Sequence, residues 1–435
     1  MAGLAPGESG AYAGVMWPFR RNAAFDVRSS QAYWLLRNGM GDAAPALDAP
    51  MDCDVAIIGA GITGALIADA LVSTGRRVVL LDRYEPALAS TAASTALLQY
   101  EIDTHLSDLM PMIGAERATL AYRACVQSFT MLEQRFPELL AQCDYQRSES
   151  VYLAADERAV PDLRTELAAR RAIGISAEWL DSEDLRRRHG CLRPGAIVSA
   201  LSASFDPVRF TRGLLSACAR HGVGIYARTP VTGIDERPDG LRLRTAHGHT
   251  VAAQNVVVAA GYESLDFLSG KVADVDNTFA LVTEPLADVQ QARVLPQIWE
   301  TARPYLYLRG TGDGRIMLGG ADVPFKSPVA REALLPRQIR KLASAYADLF
   351  GRELPPIAFT WAGSFASTHD GLPYIGRMPG ENPRLQFALC VGGNGTTYAV
   401  HAAEMIRAGI EGRAHPLDSV FGAARLDDQR DISRR

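Results

Sequence analysis

The chain has 435 residues, 48% hydrophobic and 22% charged, with 45 basic against 49 acidic side chains for a net charge of −4. That length carries two domains with their own cores, and the balance is ordinary for a globular enzyme. It excludes the basic field that nucleic-acid binding needs, and no apolar run reaches the length of a membrane span.

Residues 1–49 read as a weakly structured tail and a docking segment, with Tyr33, Trp34, Leu35 and Leu36 placed to pack on the body. Arg20-Arg21 resembles the start of an export signal, but "NAAFDVRSS" follows instead of an apolar region, so a cytoplasmic protein is expected. Cysteines stand at 53, 125, 143, 191, 218 and 390. None form CxxC, so no metal site is readable and reduced, buried thiols are expected.

"DVAIIG" reads as a strand buried on both faces. Ile62, Leu66, Ala70 and Leu71 follow at helical spacing, Gly75 stops the helix, and "RRVVLLD" is a second buried strand. Further on, "SVYLAAD" is a strand, "ERAVPDLRTELAARRAIG" a helix, and "DPVRFTRGLLSACARHG" a helix with an acid at its start. "VGIYARTPVTGIDE" reads as one strand, then "LRLRTAHG" and "HTVAAQNVVVAAG" as a hairpin running into a buried strand. "TFALVTEPL", "YLYLRGTGDGRIMLGGAD" and "RLQFALCVGGNG" add strands; "EALLPRQIRKLASAYADLF" and "TYAVHAAEMIRAGIEG" add helices. The order leaves a βαβ region and returns to it. The expected fold class is α/β and α+β: a Rossmann-type nucleotide domain from 50–100, 196–275 and 360–415, interwoven with a sheet-containing substrate domain from 101–195 and 276–359. Residues 416–435 read as a C-terminal tail.

Gly59, Gly61 and Gly64 form GxGxxG at the junction of strand and helix. The first permits the tight turn, the second lets a pyrophosphate approach the backbone, and the third lets helix and strand pack. The helix N-terminus then points free N–H groups at phosphate charge. Asp82, with Arg83 beside it, ends the second strand, 18 residues after Gly64, where it can accept from a ribose diol. FAD and NAD share this fingerprint. Ser90, Thr91, Ser94 and Thr95 follow, a cluster of hydroxyls among alanines that donates hydrogen bonds without bulk; helix caps explain the same composition.

"DVAIIGAGITGALIADAL…VVLLDR", "STAAST", "VVVAAG", "DGLPYIG" and "VGGNGTTYAVHAAEMI" together, in that order, resemble the FAD-dependent glycine/D-amino-acid oxidase (DAO) superfamily, nearer its sarcosine oxidase and γ-glutamylputrescine oxidase branches. The resemblance covers most of residues 50–412 and implies a p-hydroxybenzoate-hydroxylase-like two-domain fold, non-covalent FAD, and a small-molecule amine or amino-acid substrate. It implies hydride transfer from an amine-bearing carbon to the flavin, hydrolysis of the imine, and reoxidation by oxygen or another redox carrier. Carried over, Gly59, Gly61 and Gly64 match the pyrophosphate loop, Asp82 the ribose acid, and Ser90–Thr95 the serine-rich turn. Val231 matches the residue meeting the adenine, and Ala260 and Gly261 the turn beside the nucleotide. Asp370–Gly376, including Gly371, match the segment crossing the flavin. Gly392, Gly393, Asn394, Gly395 and Thr396 match the glycine turn at its pyrimidine end, where a helix N-terminus stabilises negative charge.

Three positions depart from that pattern. Gly363 stands where sarcosine-oxidase relatives attach FAD through a cysteine. Phe365 stands where the glycine-oxidase branch grips a carboxylate with arginine. Met317 stands where the sarcosine branch places a lysine. Tyr305, Tyr307 and Arg309 share one strand face and are the catalytic candidates with His369; an exposed polar face explains the strand equally. Asn394 and Tyr398 flank the glycine turn, and Arg303 is a second candidate for a carboxylate. An NAD-linked dehydrogenase and a catalytically silent FAD-binding scaffold are the rival readings.

Overall fold

A computed structural model of the chain describes residues 28–426 apart from Ser269. The Arg20-Arg21 pair and residues 427–435 lie outside the described residues. Two sheets carry the fold. The first is built on strand Met51–Ile58, with Val78–Leu81 and then Gly224–Tyr226 on one side and Thr250–Val258 and then Leu385–Leu389 on the other, all parallel. Strands covered on both faces have no polar side, hence "VVLL" and "NVVV" without alternation. Helices Ile62–Val72, Ala115–Arg135 and Gly395–Ile410 share the core under one face. The hairpin Val231–Arg237/Gly240–Thr245 covers the other.

The chain runs outward from Met51–Ile58 to Val78–Leu81, then returns to its opposite flank as Thr250–Val258. That reversal makes a topological switch point, and the crevice beyond the strand ends is where such sheets receive a ligand.

Among the described residues the second sheet has ten strands, one of which, Glu178–Asp181, pairs with Gly195–Ser204 off the main path. Its path runs from the edge strand Arg28–Ser29 through Ile357–Ser367, Asp274–Thr283, Ile316–Pro324, Leu306–Gly310, Gln297–Glu300 and Gln146–Leu153 to Gly195–Ser204 and Leu97–Gln99. Helix Pro328–Phe350 packs under one face. The other face looks toward the switch point.

Several boundaries differ from the sequence reading. Leu97–Gln99, Gly195–Ser204 and Ile357–Ser367 pair in the larger sheet, not the nucleotide sheet. Conversely, helices Leu106–Ile113 and Ala115–Arg135 share the core of the nucleotide sheet. The chain crosses between the two sheets several times, so neither unit is one continuous stretch of sequence. "VGIYARTPVTGIDE" is two strands, since Pro230 has no N–H to give a ladder and Arg228 turns the chain at φ +47. Residues 417–426 are not a tail. Val420 and Phe421 are fully buried, and Gly422 bridges to Ile375. Near the other terminus, helix Tyr33–Asn38 buries Tyr33 and Trp34 but leaves Leu36 exposed.

Candidate active site

The site grows from the end of strand Met51–Ile58. Gly59 takes φ +112, and a Cβ there would stand 2.4 Å from the Ala259 carbonyl oxygen across the switch point. Only glycine meets both demands. Gly64 packs against this turn from below: a Cβ on it would stand 1.9 Å from the Gly59 oxygen. The next strand delivers Asp82, whose carboxylate accepts from Ala60 N at 2.7 Å and Tyr84 N at 2.8 Å. Burial pushes Asp82 above the usual carboxylate range, although both amide bonds oppose the shift.

A cavity of about 550 Å³ opens beyond this turn. Asp82, Arg83 and Val231 line it together with Glu263, to which Arg83 is ion-paired. Gly59, Gly61, Thr91, Ser94, Thr95, Ala260 and Gly261 continue the wall. Gly392, Gly393, Gly395 and Thr396 line it too, and so do Tyr305, Tyr307, Gly363 and Phe365 of the larger sheet. Tyr305 and Tyr307 lie 5.7 Å apart between ring centres, and Phe365 sets its edge against Tyr262.

The "STAAST" turn is held from behind. Three successive carbonyls, of Ala93, Ser94 and Thr95, accept from Trp361 Nε1 at 2.8 Å, Trp34 Nε1 at 2.7 Å and Arg309 Nε at 2.6 Å. On the cavity side, Thr91 Oγ1 accepts from Ile62 N at 3.1 Å, tying the turn to the start of the glycine helix. This corrects the reading of Arg309. Its guanidinium also donates to the carbonyls of Gly310 and Phe205, and burial pulls it down to about 10. It shares a strand with the two tyrosines but is committed to backbone, so it positions the turn and does not face the cavity.

Other expected residues also lie elsewhere. His369 is exposed and outside the cavity lining. Gly371 and Asn394 stand behind the wall; Gly371 accepts from Tyr398 Oη at 2.8 Å, and Asn394 is buried at the start of its helix. The Asp370–Gly376 segment contributes no residue to this lining, and its Asp370 pairs with buried Arg425 at 2.8 Å. Met317 is buried with Trp34 and Trp361. Cys390 lines the cavity, but burial pushes its thiol well above the usual range. Arg303 is exposed, leans over the Tyr305 ring and reaches the Asp103 carbonyl.

Sequence reasoning missed Asp103, Trp299 and Asp322. Asp103 Oδ2 accepts from Gly393 N at 3.0 Å, so a carboxylate already meets part of the positive turn expected to face the cofactor. Burial pushes Asp103 above the usual range against that bond. Trp299 reaches the cavity stacked on Tyr152 at 3.7 Å. "QYEID" and "LGGADV" carry no local mark of these roles; only pairing across the sheet reveals them.

A switch-point glycine turn, an acid on the next strand and a cavity walled by a second sheet define a nucleotide-dependent oxidoreductase. The chain belongs to the DAO family, described as FAD dependent oxidoreductase, whose family model matches residues 54–408. It is similar to YhfW of Bacillus subtilis (strain 168), named as a Rieske 2Fe-2S iron-sulfur protein, at 24% identity over 412 residues, covering 93% of this chain and 77% of that one. It is 24% identical to the gamma-glutamylputrescine oxidoreductase of Escherichia coli (strain K12), covering 86% of this chain and 87% of the relative. The fold matches the crystal structure of glycine oxidase from Geobacillus kaustophilus with a TM-score of 0.70 at 21% identity, over 84% of this chain and 96% of that one. The residues present fit FAD: the side-chain-free turn at Gly59 and Gly61 leaves room for a diphosphate, and Asp82 stands ready for a ribose. No helix of the described residues is long and apolar enough to cross a membrane.

Proposed function

We propose that this FAD-dependent oxidoreductase oxidises a C–N bond of a small amine or amino acid. The observation that carries the reading is the cavity joining the Asp82 turn to the aromatic wall of Tyr305, Tyr307 and Phe365. The names of the relatives, gamma-glutamylputrescine oxidoreductase and glycine oxidase, support the substrate class. When bound, FAD supplies a two-electron acceptor for the hydrogen on the carbon beside nitrogen. Gly59, Gly61 and Thr91 would hold its diphosphate, Asp82 its ribose, and Gly392–Thr396 its ring. The chain's own work is to orient the reacting C–H bond and exclude water. Tyr305, Tyr307, Trp299 and Phe365 suit that task, being large, apolar-bodied and fixed on strands.

FAD is held without a covalent bond, because Gly363 offers no thiol and Cys390 is kept protonated by burial. Phe365 gives no hydrogen bond to a carboxylate, so glycine and D-alanine are poor substrates and secondary or longer amines better ones. The test is anaerobic bleaching of the flavin by glycine, D-alanine, sarcosine, proline, putrescine derivatives and larger N-alkyl amino acids. Fastest bleaching by glycine or D-alanine contradicts this substrate range. No bleaching by any of them favours a silent scaffold.

A further inference from the structure

The larger sheet gives the cavity an acid whose position depends on a break in pairing. Strand Ile316–Pro324 slips register opposite Thr278: Asn277 pairs with Val323, but Phe279 pairs with Gly320. Ala321 and Asp322 together stand opposite the single residue Thr278, one residue more than the ladder needs, and Ala321 takes φ +55. A bulge of this kind re-aims a side chain, and such bulges gather beside active sites. Here Asp322 lines the cavity, and its Oδ1 is buried with no hydrogen-bond partner among the described residues. Trp299, Tyr305 and Tyr307 line the same cavity.

No cation of the lining answers this carboxylate. Arg83 is the basic residue there, and it is paired with Glu263 beside Asp82. Arg309 is committed to three carbonyls. Arg303 lies outside over the Tyr305 ring. Burial is the largest influence and pushes Asp322 up to about 6; a side-chain hydrogen bond from Thr278 opposes it, Asp276 and Asp103 add negative charge, and Arg303 offsets part of that. A cation placed beside it would relieve that cost.

We propose that Asp322 is a specificity-determining residue that receives a substrate's ammonium group, so that the preferred substrates are cationic alkylamines or diamines with no carboxylate on the carbon to be oxidised. An ammonium offers three donors to the unpartnered oxygen, and faces of Trp299 and the tyrosines attract a cation. An α-carboxylate would instead meet Asp322 and Asp103, with Phe365 offering no donor. The inference rests on the reading that this cavity oxidises C–N bonds.

Two probes sharing a tert-butyl body test it. Tert-butylammonium has no hydrogen on the carbon beside nitrogen, so it cannot be oxidised; pivalate is its anionic counterpart. Each is titrated into the FAD-loaded protein while the visible flavin spectrum is followed. Tert-butylammonium should perturb the spectrum saturably and pivalate should not. Asp322→Asn should weaken the cation by about tenfold or more, and Asp322→Glu should restore part of the loss. Tighter binding of pivalate, or an Asp322→Asn effect within about twofold, overturns the proposal. If Asp322→Asn loses its flavin, the two probes on the unaltered protein decide alone. Because neither probe is oxidised, cation binding without bleaching by any amine would leave the ammonium site standing and sink only the C–N oxidation reading.

Discussion

Asp82 shows how one side chain serves two partners. Its oxygens hold the amides of Ala60 and Tyr84, which fixes the turn, while the same carboxylate faces the cavity. Asp82→Ala should weaken FAD binding by about 1.5–3 kcal/mol, roughly ten- to hundredfold, read by titrating flavin into stripped protein. Unchanged affinity would remove Asp82 from the cofactor site. Arg309→Lys should loosen FAD while leaving the order of substrates unchanged, since Arg309 holds the Thr95 carbonyl and does not face the cavity; a reordered substrate panel would return it to the candidates for catalysis. For Asp322 the sign follows from a folded value of about 6 against an ordinary 3.8. The carboxylate is charged above that range and neutral below it, so tert-butylammonium affinity should fall as pH drops through about 6. A flat profile from pH 5 to 8 counts against the charge assignment. The same upward shift means the folded state binds the extra proton, so this group's contribution to stability declines as pH rises from about 4 to about 6.

Elements divide into those whose logic is local and those whose logic is pairing. The glycine turn and its acid were readable because tight turn, helix N-terminus and strand end all act within Asp54–Arg83. Alternation groups Tyr305, Tyr307 and Arg309 on one face; the tyrosines line the cavity, but Arg309 is drawn to the carbonyls of Thr95, Gly310 and Phe205, which alternation cannot foresee. Asp322 was not readable, because the bulge at Ala321 is a property of two strands that are distant in sequence and meet only on pairing. Nor was the bracing of the "STAAST" turn, whose donors Trp34, Arg309 and Trp361 come from three distant elements. The C-terminal segment was misread because its anchor is one buried ion pair. Arg425 binds Asp370 and also donates to the carbonyls of Val420, Leu372 and Pro373. Removing one partner of a buried pair strands the other's charge, so Arg425→Ala should cost about 3–5 kcal/mol in denaturant unfolding. A loss below about 1 kcal/mol would mean the segment docks through Val420 and Phe421 alone.

At the scale of the molecule, the fold sets the reaction space between a parallel sheet that ends in the glycine turn and a larger sheet that supplies aromatic and acidic side chains. Fold class and family were readable from the ordered motifs, and the NAD-linked alternative gives way to the FAD family match over residues 54–408. Domain limits were less readable, because a strand such as Gly195–Ser204 is apolar enough for either sheet and only its partners decide. The most direct test of the account is a single anaerobic turnover: the FAD-loaded protein is mixed with an excess of an alkylamine that bleaches it, and the carbonyl compound formed is counted against flavin reduced. The account predicts equal amounts of carbonyl product and reduced flavin, with the C–N bond broken. Bleaching by an alcohol and by no amine would contradict it.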